Sequence, residues 1–531
     1  VFSLLQKLRL NYQPHKPHQL NHLKELVAFP GEPSSVHDQE LKKLFPQLAQ
    51  LPFLIFDTKK EQPHEPKKVG VVLSGGQAPG GHNVIVGLFD ALKELNPKSS
   101  LIGFLNGPSG IIENKTKELT GGFLDTYRNT GGFDMIGSGR TKIETPEQFA
   151  AAEKVCREHN LDGLVIIGGD DSNTNAALLA EYFKSKNCKT AVVGVPKTID
   201  GDLKNAHIEI SFGFDTACKV YSEIIGNLER DALSAKKYWF FVKIMGRSAS
   251  HVALECALQT HPNITLIGEE IEAEQKTLDQ IVNEIADVIH KRAASGKHYG
   301  VIIIPEGIIE FIPEFKQLIK ELNQLLSSGQ NIDQLSERSA HVYRSLPELI
   351  QKQLLLDRDP HGNVQVSKIE TERLLIEMVK AKVPKLNPQP LFCGYEGRSC
   401  LPSNFDCQYC YALGQVAAVL ISSGATGYMA RVSNLALPVS DWKCGGIPLV
   451  SMMHMEVRKG KSKPVIRKAL VDLDAAAFRY FADHRESWAL GDDYQYPGPI
   501  QYFGPSELTE AITLTLENES ASRVASPSED R

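Results

Sequence analysis

Gly163-Leu164-Val165-Ile166-Ile167-Gly168-Gly169-Asp170-Asp171-Ser172-Asn173 carries the reading of the fold. A near-continuous apolar run of strand length, Gly163–Ile167, ends in paired glycines and opens into residues that suit a helix start. Continuous rather than alternating apolarity suits a parallel strand buried on both faces. The pattern recurs at Val69–Ser74, Leu101–Leu105, Thr190–Val195, Trp239–Met245, Ile264–Ile267 and Gly300–Pro305. Helical signals fall between these runs. Thr145 can cap a helix that has Pro146 at its first position and Gln148 as capping-box partner. Leu278, Ile281, Val282, Ile285, Val288 and Ile289 form an apolar stripe at helical spacing, ended near Gly296. Strand and helix in alternation predict an α/β fold of doubly wound sheets, with ligands at the carboxyl ends of the strands.

Outward from this core, residues 1–66 are rich in Pro, His and Lys and read as an N-terminal extension. Its first residues, Val1–Tyr12, carry leucines with Lys7 and Arg9, and are expected to form a docking helix on the protein surface rather than a transit peptide. Residues 67–235 form a first α/β domain, and 236–309 with 389–440 a second. Residues 310–388, rich in Leu, Gln, Glu and Lys, predict a helical insertion, and 441–516 a C-terminal segment packed on the core. The Ser- and Glu-rich tail, 517–531, predicts disorder.

The chain has 531 residues, enough for more than one domain. A net charge of −6 gives no electrostatic footprint for nucleic acid or an anionic membrane, so neither is an expected partner. No apolar run approaches the roughly 20 residues that span a bilayer. Nine cysteines, an odd number in a long chain, do not suggest a disulfide framework and fit a reducing cytoplasm. Cys407-x-x-Cys410 has the spacing of half a zinc site, but Cys393 and Cys400 are irregularly placed, and ordinary buried thiols are the better reading. Lys459-Gly460-Lys461-Ser462-Lys463 reads as a solvated basic face, with an effector-phosphate patch as the alternative. His251 receives no role.

Three strand-end segments carry chemistry. Ser74-Gly75-Gly76-Gln77-Ala78-Pro79-Gly80-Gly81-His82-Asn83 lets backbone N–H groups approach an anion at a helix start. It is neither a dinucleotide fingerprint nor a Walker loop. In Gly168–Asn173, two carboxylates at a helix start could serve as caps alone, but the paired glycines before them favour a site where Asp170 helps to hold Mg²⁺ on phosphate oxygens. Pro196-Lys197-Thr198-Ile199-Asp200-Gly201-Asp202 gathers a cation, a hydroxyl and two carboxylates. A carboxylate there can take a proton from an alcohol, while Lys197 offsets charge on a transferring phosphoryl group.

Taken together, these segments with Gly137-Ser138-Gly139-Arg140, Met245-Gly246-Arg247, Pro305-Glu306-Gly307 and Gly394-Tyr395-Glu396-Gly397-Arg398 resemble the 6-phosphofructokinase family in identity and order. The resemblance covers roughly residues 69–306 and 390–430. The extension and the insertion look like the long pyrophosphate-dependent branch, the catalytic β subunit of plants and single-gene bacterial enzymes. It implies two Rossmann-like doubly wound domains of the phosphofructokinase type, and reversible phosphoryl transfer from pyrophosphate to the 1-hydroxyl of fructose 6-phosphate. Asp200 would be the general base, with Thr198 and Asp202 in the same loop. Asp170 would bind Mg²⁺, and Gly76 and Arg140 the pyrophosphate. Thr198, Asp200, Met245, Gly246, Arg247 and Glu306 would line the sugar site, and Tyr395 and Arg398 would grip its 6-phosphate.

Donor choice rests on Asp171 and Lys197, where ATP-using relatives carry glycine. A carboxylate at 171 would occupy the place of the nucleotide's α-phosphate, and Lys197 would stabilise charge on pyrophosphate. ATP-using relatives also bring arginines from a neighbouring subunit to the 6-phosphate. Those positions fall here at Tyr238 and near Gln389, with Lys236, Lys237 or Lys385 as substitutes. A homodimer, or a hetero-oligomer with a related regulatory subunit, is therefore expected. The alternatives are an ATP-dependent enzyme and a noncatalytic regulatory subunit. Against the latter, Asp170, Thr198, Asp200 and Asp202 are all present.

Overall fold

Five apolar runs lie side by side as the parallel centre of a ten-stranded sheet, in the order Ser100–Phe104, Lys68–Leu73, Gly163–Gly168, Ala191–Thr198, Tyr428–Ser433. This is a computed structural model that describes residues 2–34, 36–59, 63–356, 364, 368–458 and 461–525. The chain divides into two units: Val1–Ala217 with Gly397–Ala469 and Gln501–Ile512, and Cys218–Glu396 with Leu470–Ile500 and Thr513–Arg531.

In the first unit, the central strands are buried almost throughout, as their unbroken apolarity requires. Antiparallel strands close both sides. Thr116–Glu118 pairs with Ser100–Phe104. On the far side Lys443–Pro448, Leu54–Thr58 and Leu26–Pro30 follow Tyr428–Ser433. Residues 1–66 are thus no separate extension: they supply two strands of this sheet. Leu54 and Phe56 are buried while Ile55 between them is exposed, the alternation of a strand with one wet face. The helix Leu4–Leu10 is docked by Arg9, which donates to Asn404 Oδ1 at 2.6 Å, the Pro402 carbonyl at 2.8 Å and Cys407 Sγ at 2.9 Å.

Two helices meet on the sheet backbone to backbone. In Gly81–Leu95 an added methyl at Gly87 would overlap the Tyr411 carbonyl oxygen, and in Asn404–Ser422 one at Gly414 would overlap that of Val84. Cys407 and Cys410 lie one turn apart on the second helix. Cys410 Sγ packs against Gly80, so the two sulfurs meet different neighbours. Burial pushes the Cys407 thiol up to about 11 and that of Cys410 well above its usual range, which keeps both neutral.

The second unit is built on a wholly parallel sheet, in the order Ile264–Thr265, Tyr299–Pro305, Tyr238–Ile244, Pro388–Cys393. The first strand is shorter than its apolar run because Gly268 already begins a helix, Gly268–Ala273. The stripe on Leu278–Ala294 packs on Trp239, Phe241, Ile302 and Ile304. The helices Pro313–Ser327, Glu337–Ser345, Glu348–Leu356 and Thr371–Lys382 occupy the segment read as an insertion.

Composition after Glu517 predicts disorder, but Leu514–Ala525 is a helix. Its start is held by the buried Glu255 carboxylate, which accepts from Leu514 N at 3.0 Å and Thr515 N at 2.9 Å, and Leu516 is buried. Residues 526–531 lie outside the described residues, as do Lys459 and Gly460 of the basic run. Residues 441–516, read as one segment, are shared between the units, and the boundary near 217 falls earlier than the 235 expected from the sequence. Among the described residues no helix is long and apolar enough to cross a membrane.

The glycine contact is testable. Gly414→Ala inserts a methyl where backbone stands, an overpacking cost of about 1–3 kcal/mol, and is expected to lower the midpoint of thermal unfolding. Gly122→Ala, where an added methyl meets nothing within 4 Å, should leave the midpoint unchanged.

Candidate active site

The strands Lys68–Leu73, Gly163–Gly168 and Ala191–Thr198 are parallel neighbours, so the loops at their carboxyl ends emerge on one edge of the sheet. Ser74 N donates to Ile167 O at 2.8 Å, and Ser172 Oγ to Ser74 Oγ at 2.8 Å, which joins the first two loops. Gly75 N donates to Gly139 O at 2.9 Å and draws in the Gly137–Arg140 turn. Gly75 has φ +88°, a conformation that favours glycine. An added methyl at Gly76 would lie 3.6 Å from Arg140 Nη2 and 3.8 Å from Arg398 Cζ. Two guanidiniums therefore converge over a bare backbone, an arrangement suited to an anion with several oxygens.

Lys197 is buried beside them, and a methyl at Gly75 would come within 3.5 Å of its Nζ. Burial lowers its ammonium pKa to about 8; Asp200, then Asp170 and Asp202, pull it up, and Arg398 pushes it down. Thr198 Oγ1 accepts from Asp200 N at 3.0 Å and shapes the loop. Asp202 O accepts from Ala469 N at 2.7 Å, which seats Lys468 with its Nζ 3.5 Å from Asp202 Oδ2 and 3.7 Å from Asp170 Oδ2. The Asp170 carboxyl is raised by burial, lowered by Lys468, and raised again by Asp171 and Asp202. Asp171 Oδ1 lies 3.1 Å from Lys142 Nζ. Among the described residues no three His, Cys, Asp or Glu side chains are grouped as a ready-made metal cage.

In the second unit Met245, Gly246 and Arg247 follow the strand Tyr238–Ile244, and Glu306 follows Tyr299–Pro305, its parallel neighbour. Gly246 N donates to Glu306 Oε2 at 3.1 Å, Glu306 N to Ile244 O at 2.9 Å, and Met245 N to Cys393 O at 2.9 Å. The Gly394 carbonyl accepts from the Tyr221 hydroxyl, and Tyr395 is largely exposed, its ring edge-on to Phe392.

Two sets of expected residues lie apart from the others of their group. Lys237 and Tyr238 stand at the amino end of the strand whose carboxyl end carries Met245. Seven residues at about 3.3 Å each put roughly 20 Å between them, so within one chain they do not join the Met245–Glu306 cluster. Arg398, which the resemblance gives to the sugar 6-phosphate, lies in the first unit with Arg140 over Gly76, whereas Tyr395 lies in the second. Lys142 and Lys468 were not singled out from sequence. Lys468 is far along the chain and carries no local signal, while Lys142 stands two residues after Arg140, where a second cation before the helix Pro146–Glu158 could have drawn notice.

Residues 68–352 match the family model described as Phosphofructokinase. A "Pyrophosphate--fructose 6-phosphate 1-phosphotransferase" of Porphyromonas gingivalis is 52% identical over 98% of this chain and 100% of its own length. The enzyme's "subunit beta 2" of Arabidopsis thaliana is also 52% identical, over 97% of this chain and 94% of its own. Among solved structures, a pyrophosphate-dependent phosphofructokinase from Nitrosospira multiformis superposes with a TM-score of 0.56 at 16% identity, covering 81% of this chain and 93% of that one, a likeness of fold.

The buried ammonium gives a direct test. In the ligand-free protein Lys197 should lose its proton near pH 8, read by isotope-edited NMR of the lysine side chains or by pH-dependent amine labelling. Pyrophosphate bound beside it should move that titration to higher pH.

Proposed function

Because the chain belongs to the phosphofructokinase family, we propose that it transfers a phosphoryl group reversibly from pyrophosphate to the 1-hydroxyl of fructose 6-phosphate, giving fructose 1,6-bisphosphate and phosphate. The observation that carries the donor assignment is the buried Lys197, set among Asp200, Asp170 and Asp202 next to the two guanidiniums over Gly76. A buried cation there supports a reading in which the phosphates of a small donor lie beside it. The names of full-length relatives support the acceptor.

Pyrophosphate lies over Gly76 with Arg140 and Arg398 on its oxygens. The paired, partly buried carboxylates of Asp170 and Asp202 suit a hard divalent ion shared with phosphate oxygens. Asp170, with Asp202 beside it, would hold Mg²⁺, which supplies neutralisation of phosphate charge when bound. Met245, Gly246, Arg247, Glu306 and Tyr395 hold the sugar. Asp200 takes the proton of the 1-hydroxyl as that oxygen attacks the terminal phosphorus. The bridging P–O bond breaks, inorganic phosphate leaves, and Lys197 offsets the charge it carries away. Asp171 bars a nucleotide by occupying the place of its α-phosphate. Lys237 and Tyr238, at the other end of the strand, serve the sugar phosphate of a second copy or of a related subunit. A reducing cytoplasm suits nine cysteines with no disulfide among the described residues.

Asp200→Asn should reduce kcat by about 10²–10⁴-fold, the usual contribution of a general base, with a much smaller change in KM for either substrate. In a coupled assay on the purified chain at matched Mg²⁺, pyrophosphate should support turnover and ATP should not. Asp171→Gly should admit ATP. Turnover by the wild-type chain with ATP alone, or undiminished ATP exclusion in Asp171→Gly, would overturn the donor assignment.

A further inference from the structure

A carboxylate that excludes a nucleotide by its charge also repels pyrophosphate, a smaller anion of comparable charge density. Resting on the reading above, we propose that Lys142 resolves this conflict and is a specificity-determining residue: its ammonium cancels the charge of Asp171 toward pyrophosphate and leaves the carboxylate's bulk in place against a nucleotide. The pair is made at 3.1 Å between Lys142 Nζ and Asp171 Oδ1. Its geometry is imposed from below. Asp171 stands in the first turn of the helix Asp170–Ser185, and Asn175, one turn on, binds the residue after Lys142 at both backbone groups. Ile143 N donates to Asn175 Oδ1 at 3.0 Å, and Asn175 Nδ2 donates to Ile143 O at 2.7 Å. Both residues of this clamp are buried. One helix thus carries the carboxylate and staples down the loop that brings its counterion. The same loop carries Arg140, two residues earlier, to its place over Gly76.

Stability does not explain the pair. Asp171 is about half exposed, at 49%, and Lys142 is at 27%, and ion pairs so open to water contribute little to folding. Toward a polyanion seated nearby the uncovered charge matters more. One unit charge in partly screened surroundings is expected to change binding by roughly tenfold.

Lys142→Met should therefore raise KM for pyrophosphate by about tenfold, with kcat held within about threefold and the thermal midpoint unchanged. Lys142→Arg should restore most of the affinity. The Lys142→Met effect should shrink to about twofold or less when Asp171 is already Asn, because no charge then remains to be covered. Calorimetric titration of the same variants with pyrophosphate should show the same pattern in Kd. Equal effects with and without the Asp171 carboxylate, an unchanged KM, or a Lys142→Met chain of lowered melting temperature would overturn the proposal. Failure of the functional reading is seen separately, as absence of pyrophosphate turnover in the wild-type chain. The Kd cycle still decides the role of Lys142 in that event.

Discussion

The contact between the backbones of Gly81–Leu95 and Asn404–Ser422 is the constraint on which the first unit depends. A helix from the far end of the chain reaches the sheet built by residues 68–198 only because Gly87 and Gly414 leave no side chain between the two. That approach seats Cys410 against Gly80, at the start of the helix following the glycine loop. It also returns the segment Gly397–Ala469 to the unit, and with it Arg398 and Lys468. The cations that face the strand-end carboxylates thus come from both ends of the sequence, and a packing contact without charge brings part of them there.

The electrostatics follow from this assembly. Asp170, Asp171, Asp200 and Asp202 lie on two adjacent strand ends, and such a group would repel itself without neighbours of the other sign. Lys197, Lys468 and Lys142 meet them at different depths. The deepest, Lys197, is driven by burial toward its neutral form, so its charge depends on what lies beside it. A bound anion makes the charged form more favourable still and raises its pKa from about 8. The arrangement is poised by desolvation as much as by pairing.

Much of this was legible in local sequence. Buried parallel strands announce themselves as unbroken apolar runs, and the loops after them hold their chemistry within six or seven residues, so Asp170 and Lys197 could be singled out there, while Gly76 and Asp200 took their roles from the family resemblance. Side chains that arrive by tertiary return could not. Lys468 is 266 residues from the Asp202 it faces, by difference of their numbers, and nothing in its own neighbourhood marks it. The two strands within residues 1–66 are short and half wet, so a Pro- and Lys-rich composition masked them. The helix Leu514–Ala525 depends on Glu255, a partner that composition cannot reveal.

Arg9 has a consequence for how the protein is made. Its guanidinium is almost fully buried, bound to Asn404, Pro402 and Cys407, and covered by the ring of Tyr502 at 4.4 Å. Arg9 thus has its partners more than 390 residues further along the chain, at separations of 395, 393 and 398. Until residue 502 has been made, that charge has no finished socket, and Tyr428–Ser433 and Lys443–Pro448 must be made before the sheet can close on its far side. The first unit is therefore complete only once Tyr502 has been made, although four of its parallel strands, within residues 68–198, are made long before.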